Sequence, residues 1–112
     1  MQMEMKEMQR VVDEYIGQFK AGYFSPLALM ARITEEVGEL ARGVNHYHGE
    51  KQKKESEAEK EISEELGDTL FVLITMANAL EIDLTEAFQE TMDKFQERDQ
   101  NRFERVDEET SE

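Results

Sequence analysis

The chain has no cysteine, no tryptophan and one proline, and its 13 basic residues are about half as many as its 27 acidic ones. Without cysteine there is no disulfide, no thiolate metal site and no cysteine nucleophile, which fits a reducing compartment. A formal net charge of -14 would repel a phosphate backbone rather than release its counterions, so nucleic acid is not an expected partner. A small anion could still bind if a divalent cation bridged it to the protein. Long hydrophobic runs are also missing. The longest, Leu70 to Leu80, is too short to cross a bilayer and contains Thr75 and Asn78. The first residues, Met1-Gln2-Met3-Glu4-Met5-Lys6-Glu7, mix charge with methionine and offer no apolar region for a signal peptide. The expectation is a cytoplasmic protein with no membrane partner.

At 112 residues the chain suits one domain with a single core. Apolar residues recur at helical spacing in four stretches, and none alternates as a strand would. The first stretch carries Met1, Met5, Met8, Val12, Tyr15, Ile16 and Phe19 on one side, and Gly22-Tyr23-Phe24-Ser25-Pro26 breaks it. Ser25 reads as an N-cap with Pro26 at the first helical position. A second helix is expected from Pro26 to about Asn45, burying Met30, Ile33, Val37, Leu40 and Val44. Gly49 and the polar stretch Glu50 to Glu57 read as a loop. A third helix from about Ala58 to Leu80 turns Ile62, Leu66, Leu70, Leu73, Ala77 and Leu80 inward. Asp83 opens a fourth, with Glu86 three positions later in a capping-box-like pair and Leu84, Ala87, Phe88, Met92 and Phe95 behind it. Residues 1–103 thus read as one helical domain, a four-helix bundle, and 104–112 as an acidic, frayed tail. The seven methionines read as fillers of irregular core or subunit-contact space.

The most informative feature is an internal repeat. Ile33-Thr34-Glu35-Glu36-Val37-Gly38-Glu39 laid over Ile62-Ser63-Glu64-Glu65-Leu66-Gly67-Asp68 shows the same residue type at every position. At about 100° per residue, Glu36 and Glu39 sit roughly 60° and 120° to one side of Ile33, and Glu65 and Asp68 sit likewise beside Ile62. If the two helices pack antiparallel along their apolar stripes, the four carboxylates converge on one rim of the interface. Without a cation, desolvation and like charge would oppose their ionisation. An oxygen-only donor set suits magnesium or manganese. Gly38 and Gly67 each cost about 0.8 to 1 kcal/mol relative to Ala inside a helix. That cost implies close backbone approach beside them, between helices or to a neighbouring subunit.

These residues resemble the MazG-like all-α nucleotide pyrophosphohydrolases, whose signature is E-E-x-x-E followed after a variable gap by E-x-x-D. Here it reads Glu35-Glu36-Val37-Gly38-Glu39 and Glu65-Leu66-Gly67-Asp68, and the likeness continues through Asp68-Thr69-Leu70-Phe71-Val72-Leu73, Ala77-Asn78, Ile82-Asp83-Leu84 and Lys94-Phe95 with Arg98. The resemblance implies hydrolysis of a nucleoside triphosphate between the α and β phosphates, giving the monophosphate and pyrophosphate. It implies that Glu36, Glu39, Glu65 and Asp68 hold magnesium, with manganese as a substitute. Glu35 matches a further acidic position, and Lys94 and Arg98 match basic positions that contact phosphate. A homodimer or homotetramer whose subunits complete each other's sites is also implied. In one departure, some relatives carry lysine one turn before the third metal ligand, where this chain has Glu61. With no tryptophan, an aromatic that stacks on the base must be Phe or Tyr, and Tyr23 and Phe24 are the candidates.

Two other readings start from the same residues. A redox di-iron bundle would need Glu-x-x-His pairs, but the positions three after Glu36, Glu39 and Glu65 hold Glu39, Arg42 and Asp68. His46 and His48 near a helix C-terminus are more readily explained by the helix dipole and solvent than by metal ligation. The stronger rival is a non-catalytic helical interaction protein with a solvated acidic stripe, which would function without metal.

Overall fold

Local chemistry explains most helix ends in the computed structural model, which describes residues 2–48 and 55–106, without the side chains of residues 48 and 55–59. Helix α1 (Met5–Gly17) ends ahead of Gly22, whose φ of 63° turns the chain back. Helix α2 (Pro26–His48) starts as expected, with the Ser25 hydroxyl accepting the Ala28 amide at 3.2 Å. Helix α3 (Glu55–Ala79) begins before the expected Ala58, which removes residues 55–57 from the expected loop; residues 49–54 lie outside the described residues.

Between α3 and α4 (Leu84–Asp99) the chain makes a Schellman-type stop. The Ile82 amide reaches the Ala77 carbonyl at 2.8 Å and the Glu81 amide reaches Asn78 at 3.1 Å, with Glu81 itself at φ 57°. Asp83 then caps α4, its carboxylate accepting the Thr85 amide at 2.9 Å and the Glu86 amide at 3.4 Å. Gln9 of α1 locks this corner. Its side-chain amide donates to Asn78 and to the Ile82 carbonyl, both at 2.9 Å, and accepts the Leu84 amide at 3.0 Å.

All four helices match the expected all-α architecture, and no strand occurs among the described residues. None of these helices is long and apolar enough to cross a membrane. The most extensive helix contact is α2 on α3, followed by α1 on α3 and then α1 on α4. The core is small: Val12 of α1, Leu29 and Ile33 of α2, and Val72, Ile74 and Ala77 of α3. Buried Thr75 is satisfied by donating to the Phe71 carbonyl at 2.8 Å. A radius of gyration of 18.4 Å exceeds the roughly 13 Å of a compact domain of about this size. The chain is therefore elongated.

The expected core differs from the observed one in a specific way. Met30, Val37 and Val44 of α2 and Leu66, Leu70, Leu73 and Leu80 of α3 were expected to face inward, yet they are 40% to 53% exposed. From Leu66 onward α3 is apolar on more than one face, and periodicity does not say which face meets a neighbour within the same chain. Of the expected residues, Ile33 and Ala77 are buried and Leu40 and Ile62 half-buried. The expected acidic tail falls mostly on residues 107–112, outside the described residues.

Candidate active site

Helices α2 and α3 run antiparallel, so an advance along α2 is a retreat along α3. Arg32 meets Phe71, Glu36 meets Glu65 and Asp68, and Gly43 meets Glu61 and Ile62. The converging carboxylates inferred from the repeat lie in the middle of this seam. Oxygens of Glu36, Glu65 and Asp68 fall within 4.8 Å of one another. Glu39, one turn along α2 from Glu36, is the charged neighbour that acts most strongly on Glu65.

Burial raises the Glu65 carboxyl above its ordinary range, and the charge of Glu39, a hydrogen bond with Glu39, and the charges of Asp68 and Glu36 push the same way. Glu36 and Glu65 are half-buried, and one oxygen of each is buried without a hydrogen-bond donor. A buried acceptor without a donor is costly. This cluster has no basic side chain among its close members and leaves two acceptors open, which is the chemistry of a site awaiting a proton or a hard cation.

Glu35 is exposed on α2, off the seam, as its helical phase requires. Lys94 and Arg98 remain together, their charged groups 5.3 and 4.6 Å from the Phe95 ring centroid, and Arg98 pairs with Asp99 at 2.9 Å. They stand on α4, which packs on α1. Tyr23 donates its hydroxyl to Asp13 at 2.6 Å, whereas Phe24 is exposed. His46 faces Glu61 across the seam, Nδ1 to Oε1 at 3.7 Å. The His48 side chain lies outside the described residues.

The glycines require a correction within the chain. A Cβ at Gly38 or Gly67 would meet nothing within 4 Å, so neither marks close approach between helices of one molecule. Gly43 is the glycine at the seam, where a Cβ would touch the Glu61 and Ile62 side chains at 3.6 to 3.8 Å. Sequence reasoning also passed over Arg32 and Phe71. Their signal was present: Arg32 is one turn before Glu36, and Phe71 is three residues after Asp68.

A family model of the MazG nucleotide pyrophosphohydrolase domain matches residues 24–103, a stretch that includes both acidic motifs, Lys94 and Arg98. The chain belongs to this family. It is 60% identical over 104 residues to the uncharacterized protein YpjD of Bacillus subtilis (strain 168), covering 93% of this chain and 94% of YpjD. Among solved structures it is similar to the Bacillus-conserved MazG protein, a nucleotide pyrophosphohydrolase, at 62% identity and a TM-score of 0.75 over 84% of this chain and 90% of that one. It is also similar to the crystal structure of YPJD from Bacillus subtilis, at 60% identity and a TM-score of 0.78 over 85% and 97%. This MazG-family chain is thus a nucleotide pyrophosphohydrolase, a hydrolase of phosphoanhydride bonds with a nucleotide substrate.

Proposed function

We propose that this chain is a magnesium-dependent nucleoside triphosphate pyrophosphohydrolase that cleaves between the α and β phosphates, releasing the monophosphate and pyrophosphate. The observation that supports this reading most is the meeting of Glu36, Glu65 and Asp68 within 4.8 Å, with buried acceptors on Glu36 and Glu65 left without donors. In this reading Glu36, Glu39, Glu65 and Asp68 hold magnesium, and manganese can replace it. The ion, when bound, supplies charge neutralisation at the phosphate oxygens and a more acidic water.

Glu35, exposed on α2 next to Glu36 in sequence, belongs with Glu36 and Glu39 to the carboxylates that can take the proton of the attacking water. The water oxygen bonds to phosphorus as the bridging P–O bond breaks, and pyrophosphate leaves with the electron pair. Lys94 and Arg98 balance charge on the phosphates. In this reading they stand on α4, which packs on α1, and complete the site of a second copy in a homodimer or homotetramer. The exposed apolar stripe of Val37, Val44, Leu66, Leu70 and Leu73 offers a face for that association. Residues 1–103 act as the catalytic domain, in the cytoplasm, on nucleotide-pool housekeeping.

Pure protein incubated with a panel of nucleoside triphosphates and magnesium should release pyrophosphate and monophosphate in equal amounts, and chelation should stop it. Release of single orthophosphate, or turnover indifferent to chelation, overturns the proposal.

A further inference from the structure

An apolar cavity of about 520 Å³ opens where α1 and the α1–α2 connection meet the end of the α2–α3 seam. Four rings line it, Tyr15, Phe19, Phe24 and Phe71, and its one charged side chain is Arg32. Tyr15 is edge-on to Phe19 at 5.3 Å and to Phe71 at 6.0 Å between centroids. Such a lining suits a flat, weakly polar ring. The Arg32 guanidinium lies 5.8 Å from the Phe71 centroid, and no carboxylate among the described residues pairs with it.

Position sets the cavity next to the carboxylate cluster along the seam, although no carboxylate lines it. Arg32 lies one turn before Glu36 on α2, and Phe71 lies three residues beyond Asp68 on α3. The cavity and the carboxylates are therefore successive stations on one seam, about one helical pitch of 5.4 Å apart. A nucleotide with its phosphates at the carboxylates would bring its base to the rings.

We propose that this cavity holds the nucleobase and that Arg32 selects a 6-oxopurine, guanine or hypoxanthine. The inference rests on reading the carboxylates as the phosphate end of the site. A guanidinium presents two parallel N–H donors in a fixed fork, and O6 with N7 of a 6-oxopurine presents two adjacent acceptors to match. Adenine carries an amino group at position 6, so one donor would meet another donor. Thymine offers O4 beside a methyl group or an N–H, and cytosine, whose O2 and N3 could also meet the fork, is a single ring that covers less of the four-ring lining than a purine does. Once a base covers the cavity, donors of Arg32 left unpaired cost binding, which makes the discrimination larger than the pairing alone.

Calorimetric binding of dGMP, dIMP, dAMP, dCMP and dTMP to the full chain tests this without any bond being broken. The expected result is dGMP and dIMP bound at least tenfold more tightly than dAMP. Arg32→Met and Arg32→Lys should both bring the dGMP-to-dAMP ratio close to one, since a lysine ammonium lacks the fork. Arg32 is exposed, so both variants should keep the wild-type circular dichroism. Equal affinities in the wild type, or tightest binding of dCMP or dTMP, overturn the proposal. So does an equal loss for all five ligands in Arg32→Met, which would assign Arg32 to phosphate, or a changed oligomer size with an unchanged ratio. Retained dGMP preference without pyrophosphate release would sink the catalytic reading alone. Turnover without base preference would sink the cavity alone.

Discussion

Asp68 and Glu39 are both exposed and share one chemical task in the proposed site, to carry ligand charge. Asp68→Asn and Glu39→Gln keep shape nearly constant and remove that charge, so each should lower kcat by at least a hundredfold while helicity and oligomer size persist. Full activity in either variant would remove that residue from the ligand set. Glu65 carries a second expectation, because burial and its acidic neighbours raise its proton affinity above the ordinary 4.5. A carboxyl with a raised folded pKa contributes stability that is fully present below the unfolded value and is lost as pH rises through the folded value. In metal-free protein the Glu65 contribution should therefore fall as pH rises from 4.5 toward neutrality, so wild type should lose melting temperature relative to Glu65→Gln over that range. Magnesium at a hundredfold excess over its dissociation constant should raise stability at pH 7 by about 2.7 kcal/mol. A melt indifferent to magnesium at neutral pH would argue against a preformed site.

Among the helices, the start of the fourth was legible to the residue because it is written in one side chain. Asp83 accepts two amides of the first turn, and Asp83→Ala should cost about 1 kcal/mol in a denaturant titration. Loss of that cap should leave α2 and α3 in place, since the main helix contact of α4 among the described residues is with α1. The start of the second helix was equally legible from Ser25 and Pro26, whereas its end, expected near Asn45, falls at His48. The repeat Ile33 to Glu39 over Ile62 to Asp68 located the carboxylates because helical phase and antiparallel packing are enough to bring them together. Which apolar stripe of α3 would be buried was not legible. Leu66, Leu70 and Leu73 repeat as regularly as Val72 and Ala77, and only the position of α1 and α2 around α3 decides between them. The aromatic cavity was hidden for a related reason. Tyr15, Phe19, Arg32 and Phe71 come from three helices and the segment after α1, so no local pattern joins them.

For the whole molecule, an elongated shape with extents of 63 × 40 × 31 Å and a large exposed apolar stripe describes a chain whose surface is only partly used by its own fold. Gly38 and Gly67 belong to that unused surface, with nothing within 4 Å of the place a Cβ would take. In a single chain Gly38→Ala and Gly67→Ala should each stabilise by about 0.8 to 1 kcal/mol through helix propensity. In the proposed oligomer they should weaken association, so light scattering over a dilution series should show dissociation at higher concentration than for the wild type. Unchanged association would place the glycines outside the subunit contact. The antiparallel seam has one more consequence, which concerns length rather than composition. Helical pitch acts as a gauge between base and phosphates, graduated in turns: one residue inserted between Arg32 and Glu36 rotates one end by about 100° against the other and leaves two intact half-sites that no single nucleotide can bridge.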